Sequence, residues 1–369
     1  MKISLKRTPE QVELIKAMAS RNRQVAYEAQ VALAEFIGPV LAEVINNAPT
    51  LSNLFTQLQF NADDNPSIPL DLYYDISDED YITVYSQSAA GGLPQNQVLP
   101  TVSEMKIATY TLDSALSFDR RYAAKSRMDV VSKTFTRMAQ EMLLKQERTS
   151  ANLLMTALVN ATTNGLAHVI ESTTAGTFLL QDLNNLITRA RRINTSFSKG
   201  TPEGAANARG ITDLIISPEV ENSVRAMAYN PINTKGAAGA ALGGSDYRSN
   251  GIAAPDEMRM ALYNAAGLPE FYGISMMVIN ELGANQKYND IYTAVGGSFS
   301  GSRTEIAVAL DRSRESLIRA TAIDSDSGSE FSLIADDQYS IRQNKIGYFG
   351  SLEEGRLVLD NRALFGIEI

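Results

Sequence analysis

The order of apolar and polar positions changes character several times along this chain. Residues 8–47 carry Val12, Ile15 and Ala19, then Val31, Phe36, Val40 and Val44, near helical spacing. Thr8, Pro9 and Glu10 give a start signal, with Thr8 as N-cap and Pro9 in the first turn. Gly38-Pro39 predicts a break, and Pro49 an end. The pattern does not give this helix an obvious core of its own, so an arm that packs on neighbours is expected.

Residues 49–75 read as irregular, rich in Asn, Asp and Pro. Residues 81–85 alternate and are β-branched or aromatic, residues 88–97 form a turn-rich tip around Gly91-Gly92, and residues 104–112 alternate again. Together they predict a long hairpin that projects rather than packs, because few large apolar residues share one face.

Next, Val131, Phe135, Met138 and Met142 recur at i, i+4, i+7 and i+11 behind Asp129, which is placed to cap a helix. Continued to about Asn160, that helix would be about 48 Å long. Its polar stretch at 145–150 suggests a helix with part of its length on a surface, and no heptads are sustained enough for a coiled coil.

From residue 182 the pattern becomes mixed. Residues 182–193 form an amphipathic helix, residues 212–217 a buried-type strand, and Pro218-Glu219 open another helix. A further helix is predicted over 255–266, with strands over 274–279, 291–295 and 304–310. Residues 199–210 and 236–251 are Gly/Ala-rich loops. Strands over 331–335, 339–342 and 357–359 close the chain, followed by the apolar run 363–369. There is no internal repeat.

Composition narrows the possible chemistry. The 369 residues allow two or three domains at about 150 residues each. With no cysteine, thiol nucleophiles, disulfides, thiolate zinc sites and iron–sulfur clusters are excluded, and with one histidine, His168, so is a two-histidine metal site. No window reaches the roughly 18 continuous apolar residues of a membrane span, and the basic start lacks the apolar segment of a secretory signal. The reading is a soluble protein without membrane contact.

Lys+Arg 33 against Asp+Glu 42 gives a net charge of −9, which argues against a chain whose main task is coating nucleic acid. The charges are unevenly placed. Lys2, Lys6, Arg7, Lys16, Arg21 and Arg23 lie in the first 23 residues, and residues 24–105 contain no Lys or Arg. The sign reverses over 106–148, where nine cations face five acids. These blocks are either solvated faces or complementary surfaces that meet, within one chain or between copies.

No motif carries catalysis. His168 has no Gly-x-Ser-x-Gly elbow to serve and reads as structural. Ser196-Phe-Ser-Lys199 lacks the companion motifs of Ser-x-x-Lys enzymes. The glycines of 236–244 are not followed by the Gly-Lys-Ser/Thr of a phosphate loop. Residues 324–330 have spaced carboxylates, but the glycine is one position early for a calcium loop, and no glutamate stands at the twelfth position. Asp63-Asp64 and Asp336-Asp337 are too common a pairing to indicate glycosidase chemistry. The expectation is no enzyme, no metal and no cofactor.

The order of elements is the more specific signal: helical arm, projecting hairpin, long helix, α/β region, terminal strands. The amphipathic helix from 182, the apolar strand of 213–217 running into Pro218, the Gly273-led strand followed by residues 289–295, and the closing strands with Ile341-Arg342 and residues 356–360 carry it. In this order the chain resembles the major capsid proteins of tailed bacteriophages, of the Hong Kong 97 type, over nearly its whole length.

The resemblance implies an α+β fold with residues 1–50 as N-terminal arm and 76–119 as the E-loop. Residues 51–75, 120–174 and 331–369 would form a peripheral domain with a spine helix at about 129–160, and residues 175–330 an axial domain. It implies a structural role: self-assembly through hexameric and pentameric capsomers into an icosahedral shell. The shell would enclose double-stranded DNA without sequence-specific binding, with a separate scaffold protein, a portal and a decoration protein as further partners. The virion capsid, assembled in the host bacterial cytoplasm, would be its location.

Candidate inter-subunit contacts are Asp75, Asp78, Glu79, Asp80, Gly91 and Gly92 on the hairpin, and Arg120, Arg121, Lys125 and Arg127 beyond it. Some members of that family lock their shells by a Lys–Asn bond. The one Lys of residues 76–119, Lys106, lies in the returning strand away from the tip, so no crosslinking residue carries over. An encapsulin-like compartment holding a cargo enzyme shares the fold and is the alternative, with a hydrolase or nucleotide-binding enzyme more remote.

Overall fold

Leu33, Ile37, Leu41 and Ile45 recur every four residues and are all buried, which fixes one face of the second helix of the chain. The structure, a computed structural model, describes residues 8–48, 50–62, 64–69, 104–163, 165–193, 210–229, 273–323, 329–336 and 343–369, with the backbone alone for 226–229. The predictions for a strand at 81–85, a tip at 88–97, loops at 199–209 and 236–251, a helix at 255–266 and a strand at 339–342 fall outside these residues. Contacts divide the described residues into two units: 8–69, 104–150 and 317–357, and then 151–316 and 358–369.

In the first unit, α1 (Pro9–Met18) is capped by Thr8, whose hydroxyl accepts from the Gln11 N–H. α2 (Arg23–Asn46) begins at Asn22, whose side chain accepts from the Gln24 N–H. The break thus falls at 19–22 and not at Gly38-Pro39. Asn22 starts a new helix, while Glu35 and Pro39 are both exposed. The carbonyl that Pro39 leaves without a donor is therefore on the wet side, and burial of Leu33, Ile37 and Leu41 holds the helix through it. The expectation of an arm without a core is corrected for 9–46: Ile15, Met18, Leu33, Ile37, Leu41 and Ile45 are buried in this unit's core with Phe135, Met138 and Tyr348.

The unit's sheet joins β1 (Thr56–Asn61), β4 (Thr109–Asp119), β11 (Leu317–Ile323), β12 (Ser332–Asp336) and β13 (Lys345–Val358). β1 runs parallel to β11 from Thr56↔Ile318 to Asn61↔Ile323. β13 pairs antiparallel with β4 from Lys345↔Asp119 to Gly355↔Thr109, and with β12 from Gly347↔Asp336 to Ser351↔Ser332. Two short strands, β2 (Ser67–Pro69) and β3 (Glu104–Lys106), pair beside it.

The expectation of a projecting hairpin is accordingly corrected for residues 104–119. β4 is paired along its whole length, with Leu112 and Phe118 buried. Its alternation is the signature of a strand with one covered face. Gly350 on β13 is required by packing, since a Cβ there would lie 2.6 Å from the Phe331 ring and 3.0 Å from Met138 Cε.

α3 (Arg120–Ala124) leads into α4 (Met128–Val159), close to the predicted bounds, with Asp129 in the first turn rather than at the cap. Val131, Phe135, Met138 and Met142 are all buried, as their spacing predicts.

In the second unit β7 (Val169–Glu171), β14 (Leu364–Glu368), β10 (Ile306–Leu310), β8 (Asp213–Ile216) and β9 (Ser275–Val278) form a sheet in that order. A small hairpin of β5 (Thr162–Thr163) and β6 (Leu166–Ala167) precedes it. α5 (Leu180–Ile193) packs on β14, burying Leu183, Leu186, Ala190 and Ile193. β8, β10 and β14 are buried throughout, the continuous apolar type of strand, and α6 (Pro218–Tyr229) follows β8 as predicted.

Two expectations fail here. Residues 291–295 are not a strand but the end of α7 (Lys287–Ala294), which buries Tyr288 and Tyr292 one helical turn apart. The boundaries also shift: β11 belongs to the first unit through its pairing with β1, and residues 358–369 to the second, where β14 pairs with β10 and β7.

Candidate functional site

The polar middle of α4 is divided: Lys145 and Arg148 are exposed, as a surface stretch predicts, while two other residues turn inward. Gln146 and Ser150 are fully buried, on the same i, i+4 row as Met142. They meet a charged cluster on β11 and β13. Glu354 accepts hydrogen bonds from Arg319 Nε at 3.1 Å, Arg356 Nη2 at 3.2 Å, Gln146 Nε2 at 3.1 Å and the Tyr110 hydroxyl at 2.7 Å.

Arg356 also donates to Ser52 Oγ at 3.0 Å and to Ser150 Oγ, and lies 5.4 Å from the centre of the Phe55 ring. Arg319 donates to Asn46 Oδ1 at 3.2 Å, and Asn46 donates in turn to Glu330 at 2.9 Å. Glu330 is further held by Gln57 and Gln59 from β1.

This network ties α2, β1, β4, α4, β11 and β13 of the first unit together. Burial and the adjacent Glu354 carboxylate push the Tyr110 hydroxyl up to about 12, so it stays a donor across the working pH range. Both carboxylate oxygens of Glu354 accept from protein donors. The cluster sets strand register. Glu330, read in sequence as the end of a calcium-like run, is engaged by side-chain amides, and among the described residues no group of three or more His, Asp or Glu could hold a metal.

In the second unit His168 is fully buried. Its Nδ1 lies 2.9 Å from the Leu364 carbonyl oxygen and its Nε2 2.9 Å from Thr163 Oγ1. A carbonyl only accepts, so Nδ1 carries the proton and Nε2 accepts from the threonine. Burial pulls the imidazole below its usual value, with the ring stacked on Phe365. Both ring nitrogens are engaged within the fold.

Two other buried carboxylates accept hydrogen bonds within the fold. Glu368 accepts from the Tyr292 hydroxyl and the Ser300 N–H, both at 3.0 Å. Glu305 accepts from Ser217 Oγ at 2.6 Å, and burial raises its carboxyl above the usual range. Ser217 Oγ in turn accepts from the Val220 N–H and so caps α6.

What remains is the surface. Of the basic candidates, Arg120 donates to the Ala19 carbonyl at 3.3 Å, and Arg121 pairs with Asp119 at 2.9 Å, holding that carboxyl below its usual value. Lys125 and Arg127 are exposed and have no ion pair among the described residues. Asp75, Asp78, Glu79, Asp80, Gly91 and Gly92 lie outside the described residues. Sequence reasoning missed the Glu354 network. Its signal was two polar residues, Gln146 and Ser150, interrupting an otherwise apolar row.

No helix among the described residues is long and apolar enough to cross a membrane. The chain matches no family model, and no curated protein matches it. Among solved structures it is similar to the capsid of an empty GTA particle, with TM-score 0.50 and 12 % identity over 87 % of this chain and 89 % of that one. A structure of Microbacterium phage Oxtober96 matches with TM-score 0.49 and 10 % identity, over 87 % and 91 %. The holo-SrpI encapsulin complex from Synechococcus elongatus PCC 7942 matches with TM-score 0.43 and 13 % identity, over 86 % of each chain. The fold is α+β and is similar to that of the GTA capsid structure.

Proposed function

We propose that this chain is the major capsid protein of a tailed bacteriophage. Copies associate into hexamers and pentamers that close into an icosahedral shell around double-stranded DNA. The observation that carries this reading is the shared fold with the GTA capsid across nearly the full length of both chains. The interior supports a structural role: its buried ionisable groups, Glu354, His168 and Glu368, are consumed by internal hydrogen bonds.

On this reading the first unit, with the amino-terminal part of α4, serves as the peripheral domain, and the second as the axial domain. The stretch 76–103 is the part that reaches a neighbour. Asp75, just before it, and its acidic residues Asp78, Glu79 and Asp80 then face Lys125 and Arg127 of another copy, with Gly91-Gly92 at the turn. Arg120 and Arg121, already engaged at 3.3 Å and 2.9 Å within the chain, contribute less. Such charge pairs fix register and partner choice more than affinity. A separate scaffold protein, a portal and a decoration protein complete the assembly, which takes place in the bacterial cytoplasm.

The test is to express the chain alone and together with the products of its neighbouring reading frames, and to measure particle mass by light scattering. Masses of capsomers and closed shells support the proposal. A monodisperse monomer in every condition refutes it, and shells carrying an enzyme instead of DNA would make the protein a compartment shell.

A further inference from the structure

The exposed side of α4 carries a row of cations that the fold does not use. Lys133, Arg137, Lys145 and Arg148 are all exposed, and none has an ion pair among the described residues. At 100° per residue, Lys133, Arg137 and Arg148 fall within about 60° of the helix circumference, and Lys145 lies about 60° further round. The row is about 22 Å long at 1.5 Å per residue. Glu141 is the one acid within it, Asp129 stands exposed one turn before Lys133, and the other exposed members, Gln140 and Leu144, are uncharged.

The opposite side of the same helix is anchored by Val131, Phe135, Met138 and Met142, so the cations stand on a fixed rod rather than on a loop. In a chain of net charge −9, four cations against one acid along one helix face form a local field of opposite sign.

We propose that this face of α4 binds the phosphate backbone of a DNA duplex. The inference rests on the shell reading, which supplies the duplex. A duplex presents about one negative charge per 1.7 Å of axis, so a straight cationic row meets a phosphate at each side chain without any fixed register. The contact is independent of base sequence, because a helix lying along the backbone with Lys and Arg reads charge and not base edges. An acidic peptide such as residues 70–82 is the competing occupant, and the test below includes it. Four such contacts are compatible with an overall acidic subunit, since they hold DNA loosely and yield to salt.

The experiment measures binding of the unassembled full chain to a labelled 30-base-pair duplex by fluorescence anisotropy between 50 and 200 mM salt. Four phosphate contacts give a log–log slope of about −3.6, a loss of about 150-fold in affinity across that range. The pair variants Lys133→Gln/Arg137→Gln and Lys145→Gln/Arg148→Gln each remove two contacts, halving the slope to about −1.8 and the loss to about 12-fold. Lys133→Arg/Lys145→Arg keeps the original slope. Gln has nearly the helix propensity of Lys and Arg, and circular dichroism verifies that each variant is folded.

No duplex binding at 50 mM, or unchanged slopes in both pair variants, overturns the proposal. It is also overturned if both variants bind the duplex normally but lose a synthetic peptide of residues 70–82, which would make the row a protein contact. Particle mass, read on the same preparations, separates the two claims: shells with unchanged slopes leave the capsid reading standing without this one, and absence of shells removes the capsid reading itself.

Discussion

Arg319 on β11 and Glu354 on β13 lie 3.1 Å apart, with their side chains 5 % and 0 % exposed. A buried pair of this kind owes its effect to completeness, because removing one partner strands the other in a medium that cannot solvate it. Glu354→Leu would leave both Arg319 and Arg356 without their shared anion, at a cost of about 3–5 kcal/mol. The triple variant Arg319→Met/Glu354→Leu/Arg356→Met, which takes out every charge, should be more stable than Glu354→Leu alone. Urea unfolding of the unassembled chain reads the order. A single variant as stable as the parent would show that the network does not hold the sheet.

Gly350 leaves no room for a side chain. Gly350→Ala should destabilise by about 1–3 kcal/mol, because the new methyl meets Phe331 and Met138 inside the core. Gly350→Ala/Met138→Ala should recover part of that loss, since it clears one of the two obstructing side chains. Thermal melts of the three proteins check this, and two independent additive losses would argue against the contact.

His168 is the one histidine of the chain, so its imidazole signals can be followed without overlap. Burial lowers its pKa below the ordinary 6.5. The unfolded chain therefore takes up a proton first as pH falls. Stability is full above about 6.5 and declines from there down to the folded pKa. Nuclear magnetic resonance of the folded chain should find the ring less than half protonated at pH 6.5, whereas a midpoint at or above that value would contradict the buried tautomer.

Glu305 has the opposite sign. Its folded pKa is raised by burial, so its protonated form favours the folded state, and stability is lost as pH climbs from the unfolded carboxyl value through the folded one. Glu305→Gln, which keeps an acceptor for Ser217, should remove that decline. Melting temperatures of both proteins between pH 3 and 7 decide the matter, and parallel curves would mean that Glu305 titrates as an ordinary carboxylate.

If the charge blocks meet between copies, Lys125→Glu/Arg127→Glu should lower shell yield several-fold without unfolding the subunit. Arg121→Gln should have little effect, since that guanidinium is paired with Asp119. Adding Asp78→Lys and Asp80→Lys to the first variant should restore assembly in part. Sedimentation velocity measures the shell fraction, and equal yields for all of these proteins would leave the blocks as solvated faces.

The elements that could be read from sequence are those in which local pattern and tertiary environment agree. Val131, Phe135, Met138 and Met142 gave the face of α4, and the apolar run before Pro218 gave β8 and α6. β13 was hidden because its identity comes from its partners. It contains Gly347, Gly350 and Gly355 with Glu353-Glu354, residues of poor strand propensity, and it is held by pairing with β4 and β12. β1 was hidden because its side chains are mostly exposed and polar, so no alternation marks it. α7 looked like a strand in residues 291–295, because its helical signal is the Tyr288 and Tyr292 pair that begins before that window.

The site was only half legible for a related reason. Charge blocks are visible in a sequence, but which cations the fold consumes is a matter of geometry. Arg120 and Arg121 are taken up within the chain, Lys125 and Arg127 are not, and the deepest polar cluster joins residues as distant as Ser52, Gln146 and Glu354.

The most direct test of the capsid reading is electron microscopy of particles purified from cells expressing the chain with its neighbouring reading frames. Closed icosahedral shells are expected, built from this chain with six copies around the local sixfold axes and five around the fivefold vertices. Particles of any other symmetry, or a chain found only as a monomer, would contradict it.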